Sequence, residues 1–554
     1  MAPLRPDSPR ALSVALGVAL ALSACGEPPP KMAPPVEPAA AAGGVLRVLH
    51  EEVGTLDPVL VDDAYEGTVC NQLYEGLVQL DRDLRIAPAL ARSWVISEDG
   101  RNYLFRLRTD VSFHAGQRLT AEIAARSLER NLAPSRPGPS LAEGYFQRVV
   151  GASAYQAGKS PSISGIRAID DETLEVQLEE PLSFFLAVLT MDQARIVGPT
   201  ESNDWSALEL RPNGTGPFRF GARSEDGSMV LARHDGYWAE PAYLDSLRFV
   251  VAGPSTSERA VALLLRGEVD AASVAPRLQS FLVETAGLRT RSTPEFSVTF
   301  LGFNLEKPPF DRLEVRQAVT ACLDRAALAA SKSGTAMVAS RLLPPGMPGI
   351  RPSVLVPPAD AARAREYAAK AGIDPAHPLE VTLSTNRSPV SNAWWRDHFA
   401  PPLAAVGLKL VIEQMDWPDL DAKVMGGETE MFTMSWIADV PDPDAILYFL
   451  FHTDEANNLF AFSDAHVDSM LEVARHLPPG SPRFELYAQI EASIIEQLPM
   501  TPLYHATSLY AWNPRVEGVE ASPLGAPLMR FGKVWFRRPA LESGAAPASA
   551  EVVR

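Results

Sequence analysis

Residues 430–451 read EMFTMSWIADVPDPDAILYFLF, and the pattern of this segment changes along its length. Alternating apolar residues predict a buried strand over 430–436, and the apolar spacing over 444–451 predicts a helix. Asp439 lies in the loop between them. Ligands of α/β sheets bind in the crevice beyond the carboxyl ends of strands, so we expect a binding site here. The open alternative is that Asp439 only caps the helix, although the two aspartates that follow it are better placed for that role.

The surrounding sequence alternates strands with helices from about residue 294 onward, which predicts a parallel-rich α/β lobe. The predicted strands cover residues 299–304, 379–384 and 409–414, and the predicted helices cover residues 313–328, 360–371 and 392–406.

The first half of the chain is rich in predicted hairpins. Asp-Gly turns at 99–100 and 226–227, and an acidic turn near residue 171, each separate two alternating runs. Such turns are strong hairpin signals. The paired runs are 93–97 with 103–107, 166–169 with 174–178, and 218–221 with 229–233. Helical spacing predicts helices at 66–80, 120–132 and 258–267.

The N-terminus has the features of an export signal. Two arginines precede an apolar run over residues 11–21, and Leu22-Ser23-Ala24-Cys25 follows it. This run is shorter than the roughly 20 residues that cross a bilayer. The Leu-Ser-Ala-Cys segment resembles the lipobox of bacterial lipoproteins, which implies removal of residues 1–24, lipidation of Cys25 and attachment to a membrane. The alternative is an ordinary signal with a chance cysteine.

The composition of the 554 residues excludes several classes of protein. The net charge of −18 offers no basic field for nucleic acid. Three cysteines exclude a disulfide-stapled fold, and Cys70 and Cys322 are predicted to be packed free thiols. Part of the high proline content, 49 residues, lies in an expected Pro/Ala-rich tether over 25–44. Residues 538–554 are expected to form a flexible tail.

The sequence contains no recognisable catalytic or nucleotide-binding motif. Gly158-Lys159-Ser160 lacks the glycine that a phosphate loop needs at position 153, and Gly214-Thr215-Gly216 lacks the third glycine of a dinucleotide fingerprint. Neither HExxH nor GxSxG occurs, and the nine histidines are scattered. We therefore expect a binding protein rather than an enzyme, with no cofactor and no metal site.

A series of short segments, in order along nearly the whole folded unit, carries a family resemblance. They are TLDP (55–58), LYEGL (73–77), PALA (88–91), EDG (98–100), YLFRLR (103–108), VSFHAG (111–116), LTAE (119–122), GTGPF (214–218), YW (237–238), VRQA (315–318), LDR (323–325) and WIADVPDP (436–443). Together they resemble the family 5 solute-binding proteins of ABC importers, the peptide- and nickel-binding group. Val440 departs from the family's tyrosine, which bears on the choice of ligand.

The resemblance implies an α/β, periplasmic-binding-protein-like fold of type II, with two lobes and an extra subdomain in the first. Lobe I is expected over 45–75, 200–295 and 508–537, the extra subdomain over 76–199, and lobe II over 296–507. The expected function is that of a monomer outside the cytoplasm, periplasmic or extracytoplasmic. It captures an extended peptide between its lobes and delivers it to the permease subunits of an ABC importer. Closure is expected as a hinge motion near 292–295 and 503–511.

The resemblance also implies roles for single residues. Asp439 is expected to pair with the N-terminal amine of a peptide. Peptide-binding members hold the ligand backbone as an added strand. Glu52 and Val53 are implied at one edge of that strand, and Ser435 and Ile437 at the other.

Three further residues are implied at the ligand. Arg387 lies where dipeptide binders place an arginine against the ligand carboxylate, with an ordinary surface arginine as the alternative. Trp417 and Trp436 are candidates for the walls of side-chain pockets, with core packing as the alternative.

Other functions stay open on the same fold. A nickel chelate, haem or another solute is the alternative ligand, while the scattered histidines argue against a bare metal ion. From a different class, an exported hydrolase or an adhesin could use this scaffold. A hydrolase would need a nucleophile with an adjacent base in the cleft between the lobes.

Overall fold

The computed structural model describes residues 42–199, 205–253, 256–520, 522, 524 and 530–537, without the side chains of Pro389 and Val390. The predicted leader, Cys25, almost all of the predicted tether and the predicted tail lie outside these described residues.

The strands are β1 Val45–Leu49, β2 Val78–Leu80, β3 Ile86–Pro88, β4 Ala91–Ile96, β5 Asn102–Leu107, β6 Ile166–Asp170, β7 Thr173–Gln177, β8 Phe218–Arg223, β9 Met229–Arg233, β10 Ser246–Val250, β11 Ala271–Val274, β12 Arg289–Pro294, β13 Ser297–Phe303, β14 Ala336–Val338, β15 Leu379–Asn386, β16 Leu408–Met415, β17 Met431–Ile437, β18 Met500–Trp512, β19 Val516–Glu517 and β20 Trp535–Phe536.

The α-helices are α1 Ala64–Leu73, α2 Ala121–Glu129, α3 Glu143–Phe146, α4 Ala152–Gln156, α5 Phe185–Val188, α6 Ala207–Leu210, α7 Ser257–Leu265, α8 Leu313–Cys322, α9 Arg325–Ser331, α10 Ala361–Lys370, α11 Pro389–Trp394, α12 Ala400–Ala404, α13 Trp417–Met425, α14 Asp444–Phe451, α15 Ala465–His476 and α16 Ser481–Gln497.

One long mixed sheet runs in the order β16-β15-β17-β13-β18-β11-β1-β10-β9-β8, and β12 and β14 also pair with β18. We name the body built on β11, β1, β10, β9 and β8 lobe I, and the body built on β16, β15, β17 and β13 lobe II. Each has its own apolar core, with Leu46 and Phe249 in lobe I and Leu301 and Val381 in lobe II.

Two neighbouring segments of chain connect the lobes. The first half of β18 pairs with β13, and its second half pairs with β11 and β12. β12 continues directly into β13, and between them the N–H of Glu295 donates to the carbonyl of Ala506 at 2.8 Å. Both connections lie at the positions predicted for a hinge, 292–295 and 503–511.

The predicted hairpins form. β4 pairs antiparallel with β5, β6 with β7, and β8 with β9. Gly100 and Gly227 take φ values of 70° and 81° at two of these turns, a conformation that glycine adopts without steric cost. β4, β5, β7 and β6 make a separate sheet within region 76–199.

Region 76–199 also packs against lobe II. Phe105 and Phe185 share an apolar core with Phe432 and Leu450. The N–H of Ser183 donates to the carbonyl of Arg475 at 2.9 Å. The sequence gives no sign of this contact, because the partners are far apart in the chain.

The predicted helix over 66–80 is wrong in its second half. Helix α1 ends at Leu73, Tyr74 is extended, and residues 78–80 form β2. Gly76 explains the break, because a Cβ there would lie 2.8 Å from the carbonyl oxygen of Leu189. The chain at this point therefore packs against another backbone instead of continuing a helix.

Two further predicted helices are interrupted. The helix predicted over 313–328 is divided into α8 and α9, because Asp324 accepts a hydrogen bond from the N–H of Ala327 and starts a new helix. The helix predicted over 392–406 contains a π-turn at Trp395–Phe399. Pro401 and Pro402 follow this turn and have no N–H to donate to it.

The parallel-rich sheet predicted for the second half is mixed. β15 pairs parallel with β16 and β17, but β13 runs antiparallel to both β17 and β18. β13 enters lobe II directly from β12, and β18 continues from lobe II into lobe I. Cys70 and Cys322 are buried and free, which confirms their predicted state.

Candidate ligand-binding site

Strand β17 has one paired edge and one edge that is largely open. β13 pairs with it along its whole length, whereas β15 pairs only with its first two residues. The N–H of Ala438 donates to the carbonyl of Phe296 at 2.8 Å. Because hydrogen-bonded and non-hydrogen-bonded pairs alternate in an antiparallel ladder, Ser435 and Ile437 turn their backbone groups toward the open edge. No strand of the described chain pairs with them there.

Asp439 follows this open edge by two residues. Within the described part of the chain, its carboxylate has no hydrogen-bond or ion-pair partner. The side chain is exposed to solvent, yet the surrounding protein displaces enough bulk water that desolvation raises the pKa of Asp439 to about 6. A carboxylate with a raised pKa and no internal partner is suited to a ligand ammonium group.

Asp442, in the same loop, and Asp444, the first residue of α14, have the opposite environment. Arg483 donates to Asp442 at 2.7 and 2.8 Å, and Arg475 donates to Asp444 at 2.9 Å, with all four residues buried. Asp442 also accepts from the N–H of residue 444 at the start of α14. Asp439 makes no such bond, so it does not cap this helix.

Trp436 is engaged in packing on its helix-facing side. Its indole N–H donates to the carbonyl of Ala445 at 2.6 Å, and its ring stacks on Phe449 with 6.4 Å between centroids. Phe449 in turn meets the ring of Tyr145 at 5.6 Å. Trp436 is half-buried, so part of its surface remains accessible beside the open edge.

Arg387 and Trp417 lie at the same end of the lobe II sheet as Asp439. Arg387 directly follows β15, and Trp417 follows β16 after one residue. Because β15, β16 and β17 are mutually parallel, their carboxyl ends share one edge. Arg387 donates to Asp416 at 3.0 Å in an exposed ion pair, and Trp417 is 48% exposed.

Glu52 and Val53 follow β1 at the carboxyl end of that strand in lobe I. Their backbone N–H and C=O groups make no hydrogen bond within the described residues. Val53 points into the lobe I core and is 2% exposed, so only its backbone is available to a ligand. The Glu52 side chain is exposed and likewise has no partner in the described chain.

The family of this chain follows from its match to a family sequence model. The model described as "Bacterial extracellular solute-binding proteins, family 5 Middle" matches residues 85–458, about two thirds of the chain. The chain belongs to this family. The match confirms the resemblance drawn from the short segments.

Curated relatives of this family 5 chain are similar over most of their length. It is 28% identical to the heme-binding protein A of Haemophilus influenzae, over 83% of this chain and 87% of that protein. It is also 28% identical to a dipeptide-binding protein of Pseudomonas aeruginosa, over 81% of this chain and 87% of that one.

Solved structures have the same two-lobed fold. HbpA2 from Haemophilus parasuis matches with a TM-score of 0.79 and 22% identity, covering 89% of this chain and 100% of that one. DppA from Helicobacter pylori, in complex with the peptide STSA, matches with a TM-score of 0.71 and 26% identity, covering 90% and 99%. These likenesses confirm the predicted two-lobed α/β fold.

Two residues beside the site in this family 5 chain were missed by sequence reasoning. Tyr145 comes from region 76–199; burial raises the pKa of its phenol, and the charge of Asp439 raises it further. Glu295 lies in the connection between β12 and β13, next to Phe296. Neither has a local sequence signal, because each reaches the site through contacts between distant segments.

The acidic cluster of Asp62, Asp63 and Glu66 is explained by local structure. Their oxygens lie within 4.8 Å of one another. Asp63 caps α1, and Glu66 accepts from the N–H groups of Thr55 and Asp62. Asp62 and Asp63 are exposed, and the buried Glu66 is satisfied by backbone N–H groups, so the cluster is accounted for without a metal.

Within the described residues, no helix is both long enough and apolar enough to cross a membrane.

Proposed function

We propose that this chain is the substrate-binding component of an ABC importer that captures extended peptides between its two lobes. Asp439 anchors the N-terminal amine, and the ligand backbone pairs with the open edge of β17 at Ser435 and Ile437. Glu52 and Val53 offer backbone groups from lobe I. This mode gives affinity through main-chain hydrogen bonds and so tolerates different side chains.

The observation that carries the proposal is the combination of an open strand edge with an unpartnered carboxylate at its end. An ammonium group at Asp439 and a strand on this edge would satisfy both features with one ligand. A relative named as dipeptide-binding and a related structure in complex with a peptide support the choice of ligand.

The remaining roles are part of the same proposal. Arg387 approaches the ligand carboxylate, and Trp417 and Trp436 border the side chains. Closure bends the chain at 292–295 and 503–511, with lobe I, the 76–199 subdomain and lobe II bounded as the sequence predicts. Lipidation of Cys25 anchors the mature chain outside the cytoplasm, where it meets its permease; intact-mass measurement of the exported protein checks this modification.

The main test is calorimetric titration of the mature chain with trialanine and N-acetyl-trialanine. Trialanine, which has a free amine, is expected to bind. Acetylation of the peptide, or Asp439→Asn in the protein, is expected to weaken binding about 100-fold, since each change breaks a partly desolvated charge pair. Asp454→Asn is the matched control, because Asp454 is exposed in lobe II and has no ion pair in the described chain. Equal affinities for the two peptides would exclude the amine anchor.

Haem is the second candidate, because one relative is named as a heme-binding protein. The discriminating measurement is mass spectrometry and visible absorption of the protein as purified from its native host. Co-purifying peptides support the main proposal. A bound tetrapyrrole, with no binding of trialanine, would replace peptide by haem.

A further inference from the structure

Glu295 lies between the two lobes, on the connection between β12 and β13. Its N–H donates to the carbonyl of Ala506 on β18, and two residues further along that strand the Ser508 hydroxyl donates to the carbonyl of Thr293 at 3.4 Å. The next residue, Phe296, accepts the N–H of Ala438. Phe296 and Ala438 form a hydrogen-bonded pair. Glu295 precedes the first of these residues and Asp439 follows the second, so the two carboxylates lie on neighbouring segments at the same end of the site.

Glu295 differs from the fully buried carboxylates of the described chain. Most of those form ion pairs with arginines or accept several hydrogen bonds, as in the pairs of Asp57 with Arg130 and Asp270 with Arg47, whereas Glu129 accepts one bond, from the N–H of Ile163. Glu295 is only partly buried and has neither an ion pair nor a nearby positive charge; burial raises its pKa, and the Ser508 hydroxyl alone opposes that rise. Leaving a carboxylate desolvated and unpaired costs free energy, which a cationic partner would recover.

The other charges of the cleft favour the same kind of partner. Glu52 is exposed and unpaired on lobe I, and Asp439 is unpaired on lobe II. The positive group we place at the site, Arg387, is already paired with Asp416. These unpaired carboxylates favour a ligand that carries a positive charge near them.

We propose that Glu295 determines specificity by pairing with a cationic side chain of the ligand, so that the substrate class is peptides containing lysine or arginine. This inference rests on the proposed function. A peptide whose amine is held at Asp439 has its first side chains beside Glu295. While the peptide backbone stays on β17, a long flexible basic side chain reaches the connection between β12 and β13.

The test is calorimetry of the mature chain with matched tripeptides at pH 7. Lysine is placed in turn at positions one, two and three of trialanine and compared with norleucine, which keeps the aliphatic chain and removes the charge. For at least one position, lysine is expected to bind about tenfold more tightly than norleucine. Glu295→Gln is expected to bring this ratio close to one. Glu380→Gln is the control, because Glu380 is exposed near the opposite end of β15 and pairs with Lys409.

The outcomes separate this inference from the proposed function. Binding of trialanine with a lysine-to-norleucine ratio near one at all three positions overturns the role of Glu295 and leaves the peptide function standing. A lysine-to-norleucine ratio that stays near ten in Glu295→Gln also overturns the role of Glu295, since another group would then pair with the lysine ammonium. Failure of every tripeptide to bind overturns both. Thermal melting of Glu295→Gln checks that the variant is folded.

Discussion

The segment from the end of β17 to the first residue of α14 contains three aspartates in two contrasting environments. Asp442 and Asp444 are buried and hydrogen-bonded to Arg483 and Arg475. Asp439 faces solvent in the cleft and has no partner in the described chain. The same side chain therefore fixes the loop where its charge is satisfied internally, and is available to a ligand where it is not.

The contrast also explains how the site is held in place. The paired half of the loop joins β17 to α15 and α16, so the position of Asp439 is set by buried contacts that the ligand does not touch. A binding carboxylate needs such support, because an anchor that moves loses its geometric selectivity.

The largest expected effect concerns the paired half. Asp444→Ala is expected to lower the free energy of unfolding by about 3–5 kcal/mol, because it leaves the buried charge of Arg475 without its partner. Urea denaturation followed by circular dichroism measures this change. Glu122→Ala, which removes an exposed i,i+4 pair with Arg126, is the control and should change stability far less. Equal losses would mean that burial does not distinguish the two pairs.

The second prediction concerns the pH dependence of the unpaired half. Because the pKa of Asp439 is raised to about 6, its carboxylate is mostly protonated at pH 5 and mostly ionised at pH 7. A peptide amine remains protonated throughout most of this range. Trialanine is therefore expected to bind about tenfold more weakly at pH 5 than at pH 7. Asp439→Asn should remove this dependence, and a pH profile that survives in the variant would assign it to another group.

The same group has the opposite effect on the stability of the free protein. A folded-state pKa above the unfolded value means that the folded chain holds the proton more tightly, so this site lowers stability as pH rises from about 4 to about 6. Urea denaturation without ligand should show a smaller decrease in stability over this window for Asp439→Asn than for the unchanged chain.

Local patterns were sufficient to predict the elements of the site. The helix over 444–451 has its predicted bounds, and β17 differs from its prediction by one residue at each end. Both depend on the spacing of apolar residues within the segment itself. The overall two-lobed fold was predicted from a series of short segments rather than from the physics of any one of them.

Contacts between distant segments could not be predicted. Helix α1 ends early because Gly76 packs against the carbonyl of Leu189, and Asp442 is satisfied by an arginine 41 residues away. Whether an aspartate is paired or free depends on such partners. The sequence therefore favoured Asp439 through its position after a strand and through the family resemblance of residues 436–443, and it offered no reason to select Glu295.

The next prediction separates the two edges of β17. Ile437→Pro removes an N–H that points to the open edge, so it is expected to weaken trialanine binding about fivefold while leaving the pairing with β13 intact. Trp436→Pro removes an N–H on the paired edge and is expected to lower the melting temperature instead. Calorimetry and thermal melting of both variants test this. Loss of stability in Ile437→Pro would show that the edge is not open.

The smallest expected effect concerns Arg387, whose charge is exposed and already paired with Asp416. An exposed ion pair contributes little, so Arg387→Ala is expected to leave stability nearly unchanged. If Arg387 contacts the ligand carboxylate, the variant should bind trialanine about two- to threefold more weakly and bind trialanine amide with unaltered affinity. Equal losses for the acid and the amide would assign Arg387 to the surface and leave Asp439 as the charged anchor of the peptide backbone.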